Sequence, residues 1–325
     1  MRQAAGALRP SQSVDEIYLL KTLEPRTARN GSLYLQLELA DCSGTVQGRF
    51  WDASEALIEA LRGARFIRVK GRTEVYQNRL QLVASGLRAV PTEQVNLDDF
   101  LPHTPRDVEE LWGEVLRTAE SIQNPHLASL LKAFVADEGF VQQFRRAPAA
   151  VSYHQPYLGG LLEHTANVTG LAEFVCARYT SLDRDLLLTG ALLHDIGKIR
   201  EFTYDAAFEY TDEGKLLGHL VIGVMMVQEK LNALADFPVA LRDTLFHLML
   251  SHHGEYEWGS PKLPMTPEAF ALHHLDNLDA KVEASTRAIE TDRLPESAWT
   301  EYNRMFGRTL YKGMSGDAGT TEQSP

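Results

Sequence analysis

The chain has 325 residues, 44% of them hydrophobic and 23% charged, with a formal net charge of −12. At about 150 residues per domain this suggests two domains with a sizeable core, and it excludes wholesale disorder. Cys42 and Cys176 are the only cysteines, which excludes a disulfide scaffold and a four-thiolate zinc site. Apolar runs such as 220–227 fall short of the roughly 20 residues a membrane span needs.

Residues 1–13 carry no long apolar stretch, so a flexible N-terminus without a secretory signal is expected, and with it a cytoplasmic protein with no membrane partner. Residues 1–90 hold 13 basic and 9 acidic side chains, a net +4, whereas 91–325 hold 19 and 35, a net −16. A polyanion could be gripped by the first part and processed on the second, provided metal ions offset the acids there. For most of those carboxylates, solubility alone is a sufficient explanation.

Residues 14–90 read as β. Alternation or β-branched enrichment predicts strands over 17–23, 32–39, 45–51, 65–71 and 80–88. Asp41-Cys42-Ser43-Gly44 is a turn signal, and Ala56, Leu57, Ala60 and Leu61 place a short helix before Gly63. Three strands, a helix and two strands match a small five-stranded barrel of the OB type, although propensity does not separate it from other small barrels. Within it, Tyr34, Phe50, Trp51, Phe66 and Tyr76 are candidate base-stacking groups. Arg49, Arg65, Arg68, Lys70, Arg72 and Arg79 are candidate phosphate contacts, since single-strand binders pair a basic groove with aromatics. Alternation allows Tyr34 and Phe50 to be core instead, while Tyr76, in a predicted turn, is the best exposed candidate.

Residues 91–104, polar and with two prolines, read as a linker. From 105 to 312 the pattern is helical, with helices expected over 105–121, 125–137, 159–178, 183–195, 218–234, 238–251 and 267–288. Thr104-Pro105-Arg106-Asp107 and Thr266-Pro267-Glu268 are helix starts. Residues 200–214 suggest a short hairpin or ordered loop, and 313–325 a disordered tail.

The histidines carry the most information. His164 lies in one helix, His194-Asp195 ends another, His219 opens the next, His252-His253 closes a fourth, and Asp276 sits in the last. Imidazoles and carboxylates on inward helix faces are what a metal site in a bundle core needs, and that donor set suits Mn, Fe, Co, Ni or Zn. Each piece alone is commonplace, since a lone helical histidine is usually structural. The ordered set over about 110 residues is not.

His164, His194-Asp195 and Asp276 resemble the signature of the HD-domain metal-dependent phosphohydrolases, and His219 with His252-His253 the added ligands of their two-metal members. The stretches 157–165, 190–199, 210–219, 251–261 and 276–281 further resemble YhaM-type 3′-5′ exoribonucleases. These carry an N-terminal OB-fold ahead of an all-α HD-domain bundle. The resemblance implies one ion on His164, His194, Asp195 and Asp276, and a second on Asp195, His219, His252 and His253. The ions are expected to be Mn²⁺, with Co²⁺, Fe²⁺ or Ni²⁺ as substitutes. A hydroxide between the ions would attack the phosphodiester in line, releasing nucleoside 5′-monophosphates. Lys198 is the candidate for neutralising phosphate charge, unless it is only a solvated lysine at a helix end.

Asp279, three residues after Asp276, is an alternative last ligand or a supporting residue. His273 shares a face with Asp276, but surface placement is expected for it and for His274. His103, His126, His154 and His247 are read as structural or exposed. The expected partner is single-stranded RNA, with single-stranded DNA and a homo-oligomeric state as further candidates. The competing readings are an HD-type hydrolase of a small nucleotide or cyclic dinucleotide, and a non-catalytic nucleic-acid-binding protein.

Overall fold

The computed structural model describes residues 2–28, 31–51, 53–76, 79–151, 154–204, 208–292, 294 and 297–313. The tail expected over 313–325 lies almost wholly outside the described residues.

Strands β1 (Ser13–Thr27), β2 (Leu33–Asp41), β3 (Gly44–Phe50), β4 (Phe66–Tyr76) and β5 (Arg79–Val90) close into a barrel in the order β1-β2-β3-β5-β4, with helix α1 (Glu55–Leu61) between β3 and β4. All neighbours are antiparallel except β3 with β5. The period-2 pattern explains the interior: Leu35, Leu37 and Leu39 of β2 meet Val46, Val69 and Leu82, all buried. This is the OB-type barrel that the strand count predicted.

The lead-in differs from its expectation. Ala5 and Leu8 are buried against the barrel, and Ala5 N–H donates to Asp41 Oδ2 at 2.8 Å. Arg2 reaches Asp99 at 3.0 Å and lies 4.1 Å from the Phe100 ring centroid. Small apolar residues were too few to show as a pattern in sequence, yet they suffice to cap one end of the barrel.

The segment after β5 is a strap. Phe100 packs on Phe66 and Val90, and Leu158 N–H donates to the Pro102 carbonyl at 2.8 Å. Thr104 Oγ1 donates to Glu163 Oε2 and accepts from Arg106 N–H. The Thr104 cap therefore differs from prediction: Asp107 caps helix α2 (Val108–Glu120), accepting from the Glu109 and Glu110 amides.

Helices α3 (Pro125–Val135), α4 (Glu138–Arg146), α5 (Gly160–Arg178), α6 (Arg184–Leu193), α7 (Lys198–Glu201), α8 (Asp212–Leu231), α9 (Val239–Ser251) and α10 (Pro267–Glu290) form the bundle. Helix α4 was not predicted, because only Phe140, Val141 and Phe144 mark its apolar face. Asp137 caps it, and Phe140 stacks on Phe144 at 5.5 Å. The 200–214 segment forms a two-strand hairpin, β6 (Phe202–Thr203) with β7 (Glu209–Tyr210). Helix α8 starts at Asp212, not 218, and breaks at Gly218, whose φ of 72° suits glycine. The core of α5, α6, α9 and α10 is lined by residues such as Leu161, Leu187, Leu248 and Leu272, each fully buried.

Candidate functional site

Five helix termini and faces converge. His164 comes from the first turns of α5, and Asp276 from the middle of α10. His194 and Asp195 follow α6, His219 stands just beyond the Gly218 break, and His252-His253 follow α9. The turn after Asp195 packs so tightly on α8 that a Cβ at Gly197 would lie 2.0 Å from the His219 carbonyl oxygen. Glycine there is what lets the two imidazole-bearing segments meet.

The inner nitrogens face one another. His164 Nε2 is 3.2 Å from His194 Nε2 and 3.1 Å from Asp276 Oδ1. His219 Nε2 is 3.2 Å from His253 Nε2. Asp195, 2% exposed, stands between these sets. Its Oδ2 lies 3.5 Å from His164 and 3.4 Å from His194, and its Oδ1 lies 3.4 Å from His219 and 3.6 Å from His252.

Each outer nitrogen is occupied. His164 Nδ1 pairs with Asp279 Oδ2 at 2.7 Å and His194 Nδ1 with the Ala191 carbonyl at 2.8 Å. His219 Nδ1 pairs with Glu201 Oε1 at 3.0 Å, and His252 and His253 with the Met249 and Trp258 carbonyls, both at 2.8 Å. Donating from Nδ1 fixes the ring and leaves Nε2 as a lone pair directed inward, the arrangement that supports metal-bound imidazole. Asp276 therefore stands at the centre and Asp279 behind His164, where it also accepts from Asn167.

The electrostatics are unbalanced without a cation. Burial alone would raise the Asp276 carboxyl, but the His164 hydrogen bond and the surrounding imidazoles hold it well below the usual carboxylate range. Burial opposes charge on His164, yet Asp276 and Asp279 outweigh it and push that imidazole up to about 10. Burial lowers His252, and with the neighbouring imidazoles it lowers His253 to about 3. Asp195 Oδ1 is buried with no hydrogen-bond donor among the described residues. An anionic oxygen enclosed by imidazole lone pairs is costly unless a cation joins them, so the donor set fits divalent metal. The described residues supply three such groups: His164, His194 and Asp276; His194, Asp195 and His252; and His219, His252 and His253.

Lys198 is not a solvated lysine. It is buried, and its Nζ donates to Asp195 Oδ2 at 2.6 Å. Sequence reasoning missed Glu201, a buried carboxylate that accepts from both the backbone N–H of His219 and its ring, each at 3.0 Å. A lone glutamate at the end of a four-residue helix gives no pattern to read. His273 was expected at the surface but is buried, its Nδ1 2.8 Å from the His252 carbonyl. His154 is half-buried with its ring 5.6 Å from that of His164, at the site rather than remote from it.

On the barrel, Tyr34 points outward, its ring 4.9 Å from exposed Trp51. Phe50 faces inward on the core. Phe66 is buried, so it is not a stacking group. The Arg49 guanidinium lies 5.2 Å from the Tyr76 ring and 5.8 Å from Trp51. Arg49 and Arg72 flank Val83 across three strands, and Arg79 pairs in register with Tyr76. Arg68 stands apart from this cluster: its Nε donates to Asp15 at 2.7 Å.

Comparison with known proteins gives the same two-part organisation. An OB-fold nucleic acid binding domain matches residues 20–90, and an HD domain matches residues 161–281. The 3′-5′ exoribonuclease YhaM of Bacillus subtilis is 36% identical over 307 residues, 93% of this chain and 95% of that one. Its counterpart from Bacillus licheniformis is 37% identical with the same coverage. That from a Geobacillus species is 33% identical over 309 residues, 93% of this chain and 94% of its own.

Proposed function

This chain belongs to the YhaM family of 3′-5′ exoribonucleases, and from that premise we infer a metal-dependent enzyme that shortens RNA from its 3′ end. The observation that carries the chemistry is Asp195, whose two oxygens face two separate sets of imidazoles. We assign one Mn²⁺ to His164, His194, Asp195 and Asp276, and a second to Asp195, His219, His252 and His253. Co²⁺, Fe²⁺ or Ni²⁺ would suit the same donors. Bound there, two cations would acidify water and draw charge from a phosphodiester.

The chain's own groups have distinct tasks in this reading. The five occupied Nδ1 positions hold the rings in place before substrate arrives, so no reorganisation is required at the moment of reaction. Lys198, kept charged by Asp195, offsets the negative charge that builds on the phosphate. Arg49, Arg72 and Arg79 hold backbone phosphates of single-stranded RNA while Tyr76 and its neighbours stack bases. Arg68 has the same role, weakened by its pairing with Asp15. Single-stranded DNA is a second substrate, since backbone charge and stacking do not require a 2′-hydroxyl. Water adds to the last phosphorus, the penultimate 3′-oxygen leaves, and a nucleoside 5′-monophosphate is released. No described helix is long and apolar enough to cross a membrane, and we place the enzyme in the cytoplasm.

The test is a 5′-labelled oligoribonucleotide incubated with Mn²⁺. The expected outcome is a ladder descending one nucleotide at a time, with 5′-monophosphates released and no products in EDTA. Internal cleavage, or hydrolysis confined to free nucleotides, would overturn this reading.

A further inference from the structure

A cleft of ≈1130 Å³ separates the barrel from the helical bundle. Its barrel wall carries Lys21 and Arg65, and its bundle wall carries Pro156, Phe208 and Arg287. The volume exceeds the roughly 300–1,000 Å³ of drug-sized ligand sites, so it admits more than a single small molecule. We propose that this cleft is the conduit for a single-stranded nucleic acid between the barrel and the metal cluster, with Lys21, Arg65 and Arg287 gripping consecutive backbone phosphates. The proposal rests on the exonuclease reading and extends it to residues that reading does not use.

Three observations carry it. The first is the state of the cations. Arg68, Arg106, Arg145, Arg146, Arg184 and Arg200 each hold a carboxylate within 3.5 Å. Lys21 and Arg65 are exposed, and neither forms an ion pair among the described residues. Unpaired cations side by side on one wall of a cleft are an electrostatic footprint for a polyanion. Two carboxylates also line the cleft. Asp41 is already engaged by Arg2 and the Ala5 amide, which leaves Glu209 as the opposing charge.

The second is continuity with the cluster. Pro156 lies two residues from His154, whose ring is 5.6 Å from that of His164. Gln155 between them has a left-handed φ of 45° and its N–H donates to Glu283 of α10 at 3.0 Å. That hydrogen bond pins the loop onto the helix carrying Asp276. Arg287 follows Asp276 by eleven positions on the same helix, about 16 Å along its axis at 1.5 Å per residue. The 154–156 loop and helix α10 therefore link the cleft to the cluster.

The third is its place on the barrel. The cleft touches the β2–β3 turn at Asp41–Gly44, whereas Tyr34 and Trp51 stand at the other end of the same strands. Seven residues of β2 at about 3.3 Å each put the aromatics roughly 23 Å further on. A strand whose 3′ end occupies the cluster would cross the cleft first and meet the aromatics only several nucleotides later.

Cys42 provides a probe, because it is exposed and lines the cleft while Cys176 is buried. The experiment uses the full-length protein in EDTA with a single-stranded oligoribonucleotide of about 12 nucleotides, within the roughly 4–16 spanned by an OB fold. Alkylation of Cys42 by N-ethylmaleimide should slow in proportion to RNA occupancy. In Lys21→Glu/Arg65→Glu, RNA should bind more weakly, with a salt slope shallower by about 1.4, since each single-strand phosphate contact contributes about 0.7. If wild type cuts the dinucleotide and binds the oligomer, but Cys42 stays unprotected and the variant's salt slope is unchanged, the conduit is wrong and the nuclease reading stands. If wild type neither binds nor cuts any strand, both fail together.

Discussion

The bundle site and the barrel face solve opposite problems with the same kinds of side chain. In the bundle, His164, His194, Asp195 and His252 are all but fully buried; each imidazole is held by a partner on its far side, and Asp195 accepts from Lys198. On the barrel, Trp51 and Tyr76 are 43% and 48% exposed, and Arg49 rests against their rings with no carboxylate partner among the described residues. Buried groups have no latitude, so losing one disturbs all the others. Exposed groups act nearly independently, so their effects should be moderate and should grow with substrate length. The first design suits bond cleavage at a fixed point, and the second suits holding a strand of any sequence.

The sharpest test of this contrast is Asp195→Ala. It removes the carboxylate whose two oxygens face both imidazole sets, so kcat on RNA should fall at least about 10³-fold, roughly 4 kcal/mol of transition-state stabilisation. RNA affinity measured by fluorescence anisotropy in EDTA should stay within about twofold, since effects at distant independent sites are additive. Near-normal turnover would remove Asp195 from the centre. An equally large loss of RNA binding would dissolve the contrast between the two regions.

Next comes Glu201, which touches no inner nitrogen. Glu201→Ala leaves His219 free to rotate and should lower metal affinity and activity by about 10–100-fold, as supporting partners of metal-bound histidines do. Glu201→Gln keeps an oxygen acceptor at the same place and should recover most of that loss. Metal titration of both variants separates orientation from mere packing: a purely structural role would leave their affinities equal and shift only the unfolding temperature.

How much of this was readable in advance follows the same division. The inner ligand candidates stood out because histidine is uncommon and four helical segments each carry one or two of them. The barrel was readable because strands on one closed core alternate with period two. The supporting shell was not. Glu201, the Ala191 and Met249 carbonyls and the Trp258 carbonyl act through position alone, and any residue has a carbonyl. Helix α4 failed for a related reason, since three apolar residues in nine resemble a loop until Phe134 and Trp112 supply the surface they pack on. The choice between Asp276 and Asp279 needed coordinates, because i and i+3 lie on one helix face and only the position of the His164 ring tells the front residue from the back one.

On the barrel, Trp51→Ala and Tyr76→Ala should each weaken binding of a long oligoribonucleotide by roughly 5- to 150-fold, if each supports one stacked base at about 1–3 kcal/mol. Dinucleotide kcat/KM should be unchanged in both. The dependence on length matters more than the size of the loss: a defect equal on short and long strands would mean that these rings hold the fold together rather than the strand.

The smallest effect is expected at Arg68, and its sign can be reversed. Its guanidinium is already held by Asp15, which also lies 3.4 Å from Lys70 Nζ. The two cations hold the Asp15 carboxyl below its usual range, chiefly through the Arg68 hydrogen bond. Arg68→Ala therefore removes a charge that Asp15 largely cancels at the surface, and RNA affinity should drop by no more than about threefold, in line with the modest worth of exposed ion pairs. Asp15→Asn removes the cancelling charge, and RNA affinity should rise by a similar factor with a steeper dependence on salt. Arg49, whose contacts among the described residues are rings rather than a carboxylate, should give the larger loss when changed to alanine. If Arg68→Ala and Arg49→Ala weakened binding equally, the strand would have to run across β4 towards β1 as well as over Trp51 and Tyr76, and the gripping face would be wider than the aromatic cluster.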